Sequence, residues 1–355
     1  MTIYSRAPGK MILIGEYAVL EGAPALVRAV DRFALVEVCD NPVGNFTVEA
    51  PNLSVPAQDF VITSGGEVRF DPNAVPVFIK RLSFFARLFE TVWQFYSNKN
   101  IKIDYCKIDL NTASFYDAEL NNKIGVGSSA ALTAALVNAI DANQNNGEML
   151  SKKDIFMLAL KAHRYAQKGI GSGIDIASSV YGGIIEYTMV KDDESNFKEP
   201  KRIDYPADLN IISVWTGKSA STRKMVGSVS EFKNRSYLRY KEIMDNLSAT
   251  TGDACESFKK KDVSRFLESC AEYYKQLLEL GNESSVSIIS DVHKDIEKIV
   301  RNGGGVYKPS GAGSGDFGIA MTSDAEKALY LKTLIEENGF KTVNLSTSDT
   351  GVQIY

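Results

Sequence analysis

Residues 125–131 read Gly125-Val-Gly-Ser-Ser-Ala-Ala131, and the rest of the chain is best read outward from them. Glycine at 125 and 127 lets the backbone approach a polyphosphate and turn its N–H groups toward it. Beyond the loop, Leu132, Ala135, Leu136, Ala139 and Ile140 recur at i, i+3, i+4, i+7 and i+8, the period of one face of an amphipathic helix. The loop therefore runs into a helix start, where unpaired N–H groups and the positive dipole end favour an anion. The serines lie in that first turn, and a hydroxyl there can reach a divalent cation. The spacing is not GxxxxGK[ST], and no GxGxxG follows a strand, so neither a Walker A loop nor a dinucleotide fingerprint is present. By itself the stretch supports phosphate binding; a plain loop with serine N-caps would carry the same letters.

Three further segments have chemical content. Ala7-Pro-Gly-Lys10, followed by Ile14-Gly-Glu-Tyr-Ala-Val19, sets a lysine at the entry to an apolar strand. Alone it reads as a solvated lysine as readily as an anchored cation. Gly171-Ser-Gly-Ile-Asp175 places a carboxylate behind a glycine turn at a helix start, where an N-cap is an ordinary role. Lys308-Pro-Ser-Gly-Ala-Gly-Ser-Gly-Asp316 is a second glycine-dense loop, running into an apolar strand.

Composition bounds the partners. With 355 residues, 44% hydrophobic and 24% charged, the chain suits two globular domains. A formal net charge of −4 provides no field for nucleic acid or an anionic membrane. The run Lys259-Lys-Lys261 is flanked by acids and reads as a solvated helix face. Cys39, Cys106, Cys255 and Cys270 form no CxxC pair, and with only His163 and His293 a zinc site is not expected. Reduced thiols, no signal-peptide core and no apolar run near 18 residues point to a soluble, cytoplasmic protein.

Periodicity predicts short strands at residues 11–14 and 34–38, a helix over 75–97, and a strand region over 101–110. Further helices are expected from Ser151 and at 175–180, a polar excursion at 191–202, and a strand at 209–215. Helices near 227–250, 262–280 and 286–301 follow, then a strand at 317–321, a helix at 324–338 and a last strand near 352–354.

Together and in this order, the four segments resemble the GHMP kinases, the superfamily of galactokinase, homoserine kinase, mevalonate kinase and phosphomevalonate kinase, over residues 7–321. Within it the likeness is to the phosphomevalonate kinases. Tyr17 stands where mevalonate kinases usually have histidine, and residues 215–226 resemble the substrate loop of the second domain. Val126 replaces the usual leucine, and Ser314 and Phe317 depart from the usual GAGGGDCGIA. Residues 162–167 hold no acid, although mevalonate kinases carry a metal-binding glutamate upstream of the aspartate.

The resemblance implies an α+β, two-domain GHMP kinase fold. Residues 1–203 would form a ribosomal-protein-S5-domain-2-like ATP-binding half and 204–355 a ferredoxin-like half, with the site in the cleft between them. Gly125, Val126, Gly127, Ser128, Ser129 and Ala130 would hold the ATP phosphates, with Ser129 also on Mg²⁺, and Lys10 and Asp175 would face the reacting centre. Glu16, Tyr17, Ser172, Gly173, Lys218, Ser221, Thr222, Arg223, Ser310, Gly311, Ala312 and Gly313 would surround the acceptor. The implied reaction is ATP-dependent phosphorylation of 5-phosphomevalonate to 5-diphosphomevalonate by a monomer or homodimer without nucleic-acid or membrane partners. Mevalonate kinase, another GHMP small-molecule kinase, or a non-catalytic ligand sensor on the same fold are the alternatives. Retention of Lys10, Ser129 and Asp175 speaks against the sensor.

Overall fold

The computed structural model describes residues 1–144, 149–169, 171–190, 197–219 and 222–355, the last range without the side chains of 222–224. Strand β1 (Thr2–Ile14) runs antiparallel along β2 (Ala25–Asp40). A meander of β3 (Phe46–Ala50), β4 (Val55–Ile62) and β5 (Val68–Phe70) follows. Helix α1 (Pro76–Ser97) leads to β6 (Cys106–Asn111), which inserts between β2 and β3. A short hairpin, β7 (Tyr116–Asp117) and β8 (Asn122–Lys123), precedes the glycine loop. Helices α2 (Ser128–Gln144), α3 (Lys152–Ala166) and α4 (Ile174–Tyr181) come next, then β9 (Ile184–Tyr187) and β10 (Lys201–Arg202) on the β2 side of the sheet.

The second sheet has the order β12-β13-β11-β14 in its four strands. These are β11 (Asn210–Trp215), β12 (Val306–Ser310), β13 (Phe317–Thr322) and β14 (Lys341–Val343). Around them lie α5 (Thr222–Arg235), α6 (Tyr237–Lys259), α7 (Val263–Glu283), α8 (Asp291–Asn302) and α9 (Ala325–Glu337). Val214, Ile296, Val300, Tyr307 and Leu331 form a separate small core, while apolar residues of α6 and α7 join the main core with the first sheet.

Several expectations are corrected. The strand at 11–14 begins at Thr2, so Ala7-Pro-Gly-Lys10 lies within it and not before it. A register shift between Pro8 and Gly9 accommodates a residue with no N–H to give to the ladder. Residues 101–105 are not strand, and the long helix near 227–250 is broken around Ser236 into α5 and α6. Helix α2 is buried around most of its circumference and not on one face, because β1, β2, α3 and α4 all pack on it. The final strand, β15 (Gln353–Ile354), leaves the second sheet and pairs with β1 at Ser5 and Arg6, tying the C-terminus to the first sheet. Among the described residues, no helix is long and apolar enough to cross a membrane.

Candidate active site

Lys10 and the glycine loop are joined by backbone before any side chain is considered. The Lys10 N–H donates to the Val126 carbonyl at 2.8 Å, which fixes strand β1 against the loop. Gly127 has φ +86°, and a Cβ there would lie 3.0 Å from Lys10 Cγ, so glycine leaves the passage along which the lysine stem runs. The Lys10 ammonium ends 3.7 Å from where a Cβ on Gly311 would sit, bringing the N-terminal lysine to the second glycine loop.

A buried ion pair holds that second loop in place. Lys308 Nζ lies 2.6 Å from Glu16 Oε1, with the two side chains 0% and 2% exposed. The same Glu16 oxygen accepts the Gly311 N–H at 3.2 Å, and Lys308 also donates to the Pro309 carbonyl. Tyr273 donates its hydroxyl to the Glu16 carbonyl at 2.5 Å. Tyr17, at φ 63°, donates to the Ala312 carbonyl at 2.6 Å. Burial, with Glu16 beside it, raises the Tyr17 phenol above its ordinary range, so the hydroxyl stays a donor. Three bonds thus tie residues 16–17 to residues 308–312.

On the opposite wall, Ser129 from α2, His163 from α3 and Asp175 from α4 converge. His163 Nε2 is 3.3 Å from Ser129 Oγ and 3.9 Å from Asp175 Oδ2. Asp175 Oδ1 accepts the Ile176 N–H at 3.0 Å, and Ser172 Oγ accepts the Ile174 N–H at 3.3 Å at the start of α4. Asp316 closes over the first glycine loop: a Cβ on Gly125 would meet its carboxyl carbon at 2.2 Å. Lys123 faces the same carboxylate. Burial lowers its ammonium below the usual lysine range, and Asp316 partly offsets the fall.

Several of these groups line one cavity of about 370 Å³. Of the residues singled out from sequence, Lys10, Glu16, Tyr17, Gly125, Gly127, Ser128, Ser129, Ser172, Asp175, Gly311 and Ala312 face it. Val126, Ala130, Gly173, Lys218, Ser310 and Gly313 do not line it. Val126 is the strut to Lys10, Ala130 is buried in α2, and Gly173 caps α4 at φ 84° against Leu160. Ser310 donates to the Ile12 carbonyl, and Gly313 packs on Ile288. Lys218 is exposed, and its carbonyl accepts the Asp316 N–H at 2.7 Å. Ser221 lies outside the described residues, as do the side chains of Thr222 and Arg223. Lys123, His163, Gln167, Ser219 and Asp316 line the cavity without having been singled out. His163 and Gln167, four apart on α3, did carry a signal: one of two histidines in the chain, upstream of the Gly-Ser-Gly-Ile-Asp turn.

The site resists other assignments. Among the described residues, no group of three or more His, Cys, Asp or Glu is placed to hold a metal unaided. Cys106 and Cys270 are buried, their thiols pushed up to about 12 by desolvation, and neither lines the cavity.

Fold and site together define an α+β protein with a glycine loop on a helix start and two lysines lining the same cavity. Residues 87–183 match the family model described as the GHMP kinases N terminal domain. The phosphomevalonate kinase of Streptomyces sp. (strain CL190) is 29% identical, across 92% of this chain and 91% of that one. The mevalonate kinase of Thermococcus onnurineus is 27% identical, across 100% and 98%. Among solved structures, a Lin0012 protein from Listeria innocua superposes with TM-score 0.87 at 28% identity, covering 100% and 99% of the two chains. Streptococcus pneumoniae phosphomevalonate kinase in complex with phosphomevalonate and AMPPNP superposes with TM-score 0.78 at 18% identity, covering 97% and 99%. Over most of its length the chain is thus similar to kinases of the mevalonate pathway, and its residues 87–183 match the GHMP kinase N-terminal domain.

Proposed function

We propose that this protein phosphorylates 5-phosphomevalonate to 5-diphosphomevalonate at the expense of ATP. The observation that carries the reading is the meeting of Lys10, Ser129, Asp175 and Gly311 in one cavity, lined by a glycine loop that opens a helix. The acceptor class rests on relatives at 29% and 28% identity that are named phosphomevalonate kinase. Others, at 24–28% identity, are named mevalonate kinase, which makes mevalonate the second acceptor to test.

The residues present fit a nucleotide polyphosphate with its divalent cation. Gly125 and Gly127 leave room at the loop, Lys10 and Lys123 supply positive charge, and Ser129 and Asp175 present oxygen donors. Mg²⁺, when bound, would screen the phosphate charges. A phosphomonoester has a second pKa near ~6, so its attacking oxygen is already largely anionic at neutral pH. The barrier then lies in bringing two anions together, and fixed cations lower it more than a base does. In this reading Lys10, held by the Val126 carbonyl and the Gly127 passage, neutralises the transferred phosphoryl group. Asp175 orients Lys10 or the acceptor. Tyr17 and the Glu16–Lys308 pair hold the loop at 310–313 in the shape the acceptor meets.

The experiment is ADP release with phosphomevalonate and mevalonate in parallel, with the product identified by ³¹P NMR. A diphosphate doublet from phosphomevalonate is expected. Turnover of mevalonate alone would refute the acceptor assignment, and no ADP with any acceptor would refute the kinase.

A further inference from the structure

One hydrogen bond on the wall behind the glycine loop decides how two cavity-facing groups are presented. Gln167 is the C-cap of α3, and its backbone N–H donates to the His163 carbonyl at 2.9 Å. Its side-chain amide nitrogen lies 2.9 Å from His163 Nε2. An amide nitrogen can only donate, so Nε2 accepts and holds no hydrogen, and the neutral ring carries its hydrogen on Nδ1. The ring is buried and packs edge-on against Phe84, with centroids 6.0 Å apart.

Two neighbours are governed by that bond. Ser129 Oγ lies 3.3 Å from His163 Nε2, but the lone pair there is already taken. The serine hydroxyl hydrogen is therefore not drawn to the ring, while the Gln167 amide nitrogen stands 3.5 Å from Oγ as a donor toward that oxygen. Ser129 lies in the first turn of α2, so its hydrogen is left for an anion at the glycine loop. Asp175 Oδ2 lies 3.9 Å from the same Nε2, which has no hydrogen to give it. Asp175 Oδ1 accepts the Ile176 N–H, and Oδ2 remains for the cavity, which Ser129, His163, Gln167 and Asp175 all line.

We propose that Gln167 is a positioning residue for phosphoryl transfer: by donating to His163 Nε2 it fixes the ring as the Nδ1–H tautomer, and so leaves the Ser129 hydroxyl hydrogen to a nucleotide phosphate oxygen and Asp175 Oδ2 to the ligands of the cavity. The inference rests on the nucleotide reading above. Gln167 acts through its neighbours and not on the reacting atoms. Reversing its polarity reverses the wall: a carboxylate in its place accepts a hydrogen from Nε2 and from Ser129, and adds negative charge where the phosphates approach. A glutamine that only filled space at the end of α3 would do neither.

Long-range ¹H–¹⁵N correlation on the full chain labelled with [¹⁵N]histidine reads the tautomer directly. His163 should show the Nδ1–H form in the wild type and lose it in Gln167→Glu. The other histidine, His293, packs against Tyr307, and His293→Gln removes its signals to complete the assignment. Steady-state kinetics with Mg-ATP and phosphomevalonate supplies the second readout. The KM for ATP should rise about tenfold or more in Gln167→Glu, but only about threefold in Gln167→Met, where Nε2 regains a lone pair that draws the Ser129 hydrogen away. An Nε2–H tautomer of His163 in the wild type overturns the proposal without recourse to any substitution. So does a KM for ATP that agrees within about twofold between the two variants, and ATP binding by the wild type then leaves the nucleotide reading standing. Absence of ATP binding to the wild type overturns both.

Discussion

The loop at 125–131 delivers its glycines into helix α2, whereas the loop at 311–316 delivers its glycines into strand β13. The two stretches look alike in composition, and the element that follows separates their chemistry. A helix start clusters N–H groups on one spot and points a dipole at it. A strand start only fixes a register. In the second loop the N–H groups of Gly311, Ser314 and Asp316 are already given to Glu16, the Ile288 carbonyl and the Lys218 carbonyl. Ser314 and Asp316 are non-glycine residues at φ 68° and 55°, a conformation that the surrounding bonds must hold. The second loop is therefore a braced scaffold, and it delivers the Asp316 carboxylate to Gly125 and the Ala312 carbonyl to Tyr17. Damage to it should appear in folding, and damage to the first loop in nucleotide binding.

The largest expected effect is on the brace. Lys308→Met leaves the Glu16 carboxylate buried without its cation, a defect that costs about 3–5 kcal/mol. Urea denaturation should show it as a lower midpoint at unchanged m-value. A loss under ~1 kcal/mol would mean that the pair does not hold the loop.

Next is a pH dependence beneath the same loop. His293 is buried against Tyr307, and desolvation lowers its pKa to about 4. The folded state keeps the ring neutral while the unfolded chain takes up a proton near pH 6.5. The associated stability is thus complete above pH 6.5, declines as pH falls toward about 4, and changes no further below that. The full difference is about 3 kcal/mol by linkage. His293→Gln should flatten the wild-type slope across this window, and parallel slopes would contradict the assignment.

Two alanines then set the loops against each other. At Gly313, φ is +79° and a Cβ would meet the Ile288 carbonyl oxygen at 2.3 Å, so Gly313→Ala should lower stability by about 2 kcal/mol. A smaller thermodynamic effect is expected for Gly125→Ala, whose Cβ meets only the Asp316 carboxylate, a side-chain end. It should leave the melting temperature within a few degrees and raise the KM for ATP several-fold, about 1 kcal/mol of binding. If Gly125→Ala unfolded the protein and Gly313→Ala spared it, the division of labour between the loops would be reversed.

What could be read from the sequence follows the range of the forces involved. The helix after Gly125–Ala131 was legible because its periodicity is local, and the serine cap of α3 was legible from Ser151 and Asp154, which the structure joins. The family resemblance supplied the four segments but not their bracing. Glu16 and Lys308 are 292 positions apart, and nothing local distinguishes Lys308 from a solvated lysine. Lys123, on the β7–β8 hairpin, and Asp316, just before β13, are 193 positions apart and meet only in the fold. The return of residues 353–354 to β1 was equally invisible, since two residues carry no pattern that names a partner sheet. Lys218 misled for the opposite reason. Its neighbours made a cationic loop on paper, but the fold uses its carbonyl to hold Asp316 and leaves the ammonium in solvent.

The most direct test of the account is the order of two losses. With Mg-ATP and phosphomevalonate, kcat/KM should fall on the order of 10³-fold for Lys10→Ala and only about 10-fold for Asp175→Asn, because the acceptor oxygen is already anionic and needs a cation more than a base. A larger loss for Asp175→Asn than for Lys10→Ala would show that the acceptor must be deprotonated, and would contradict a phosphate acceptor in this cavity.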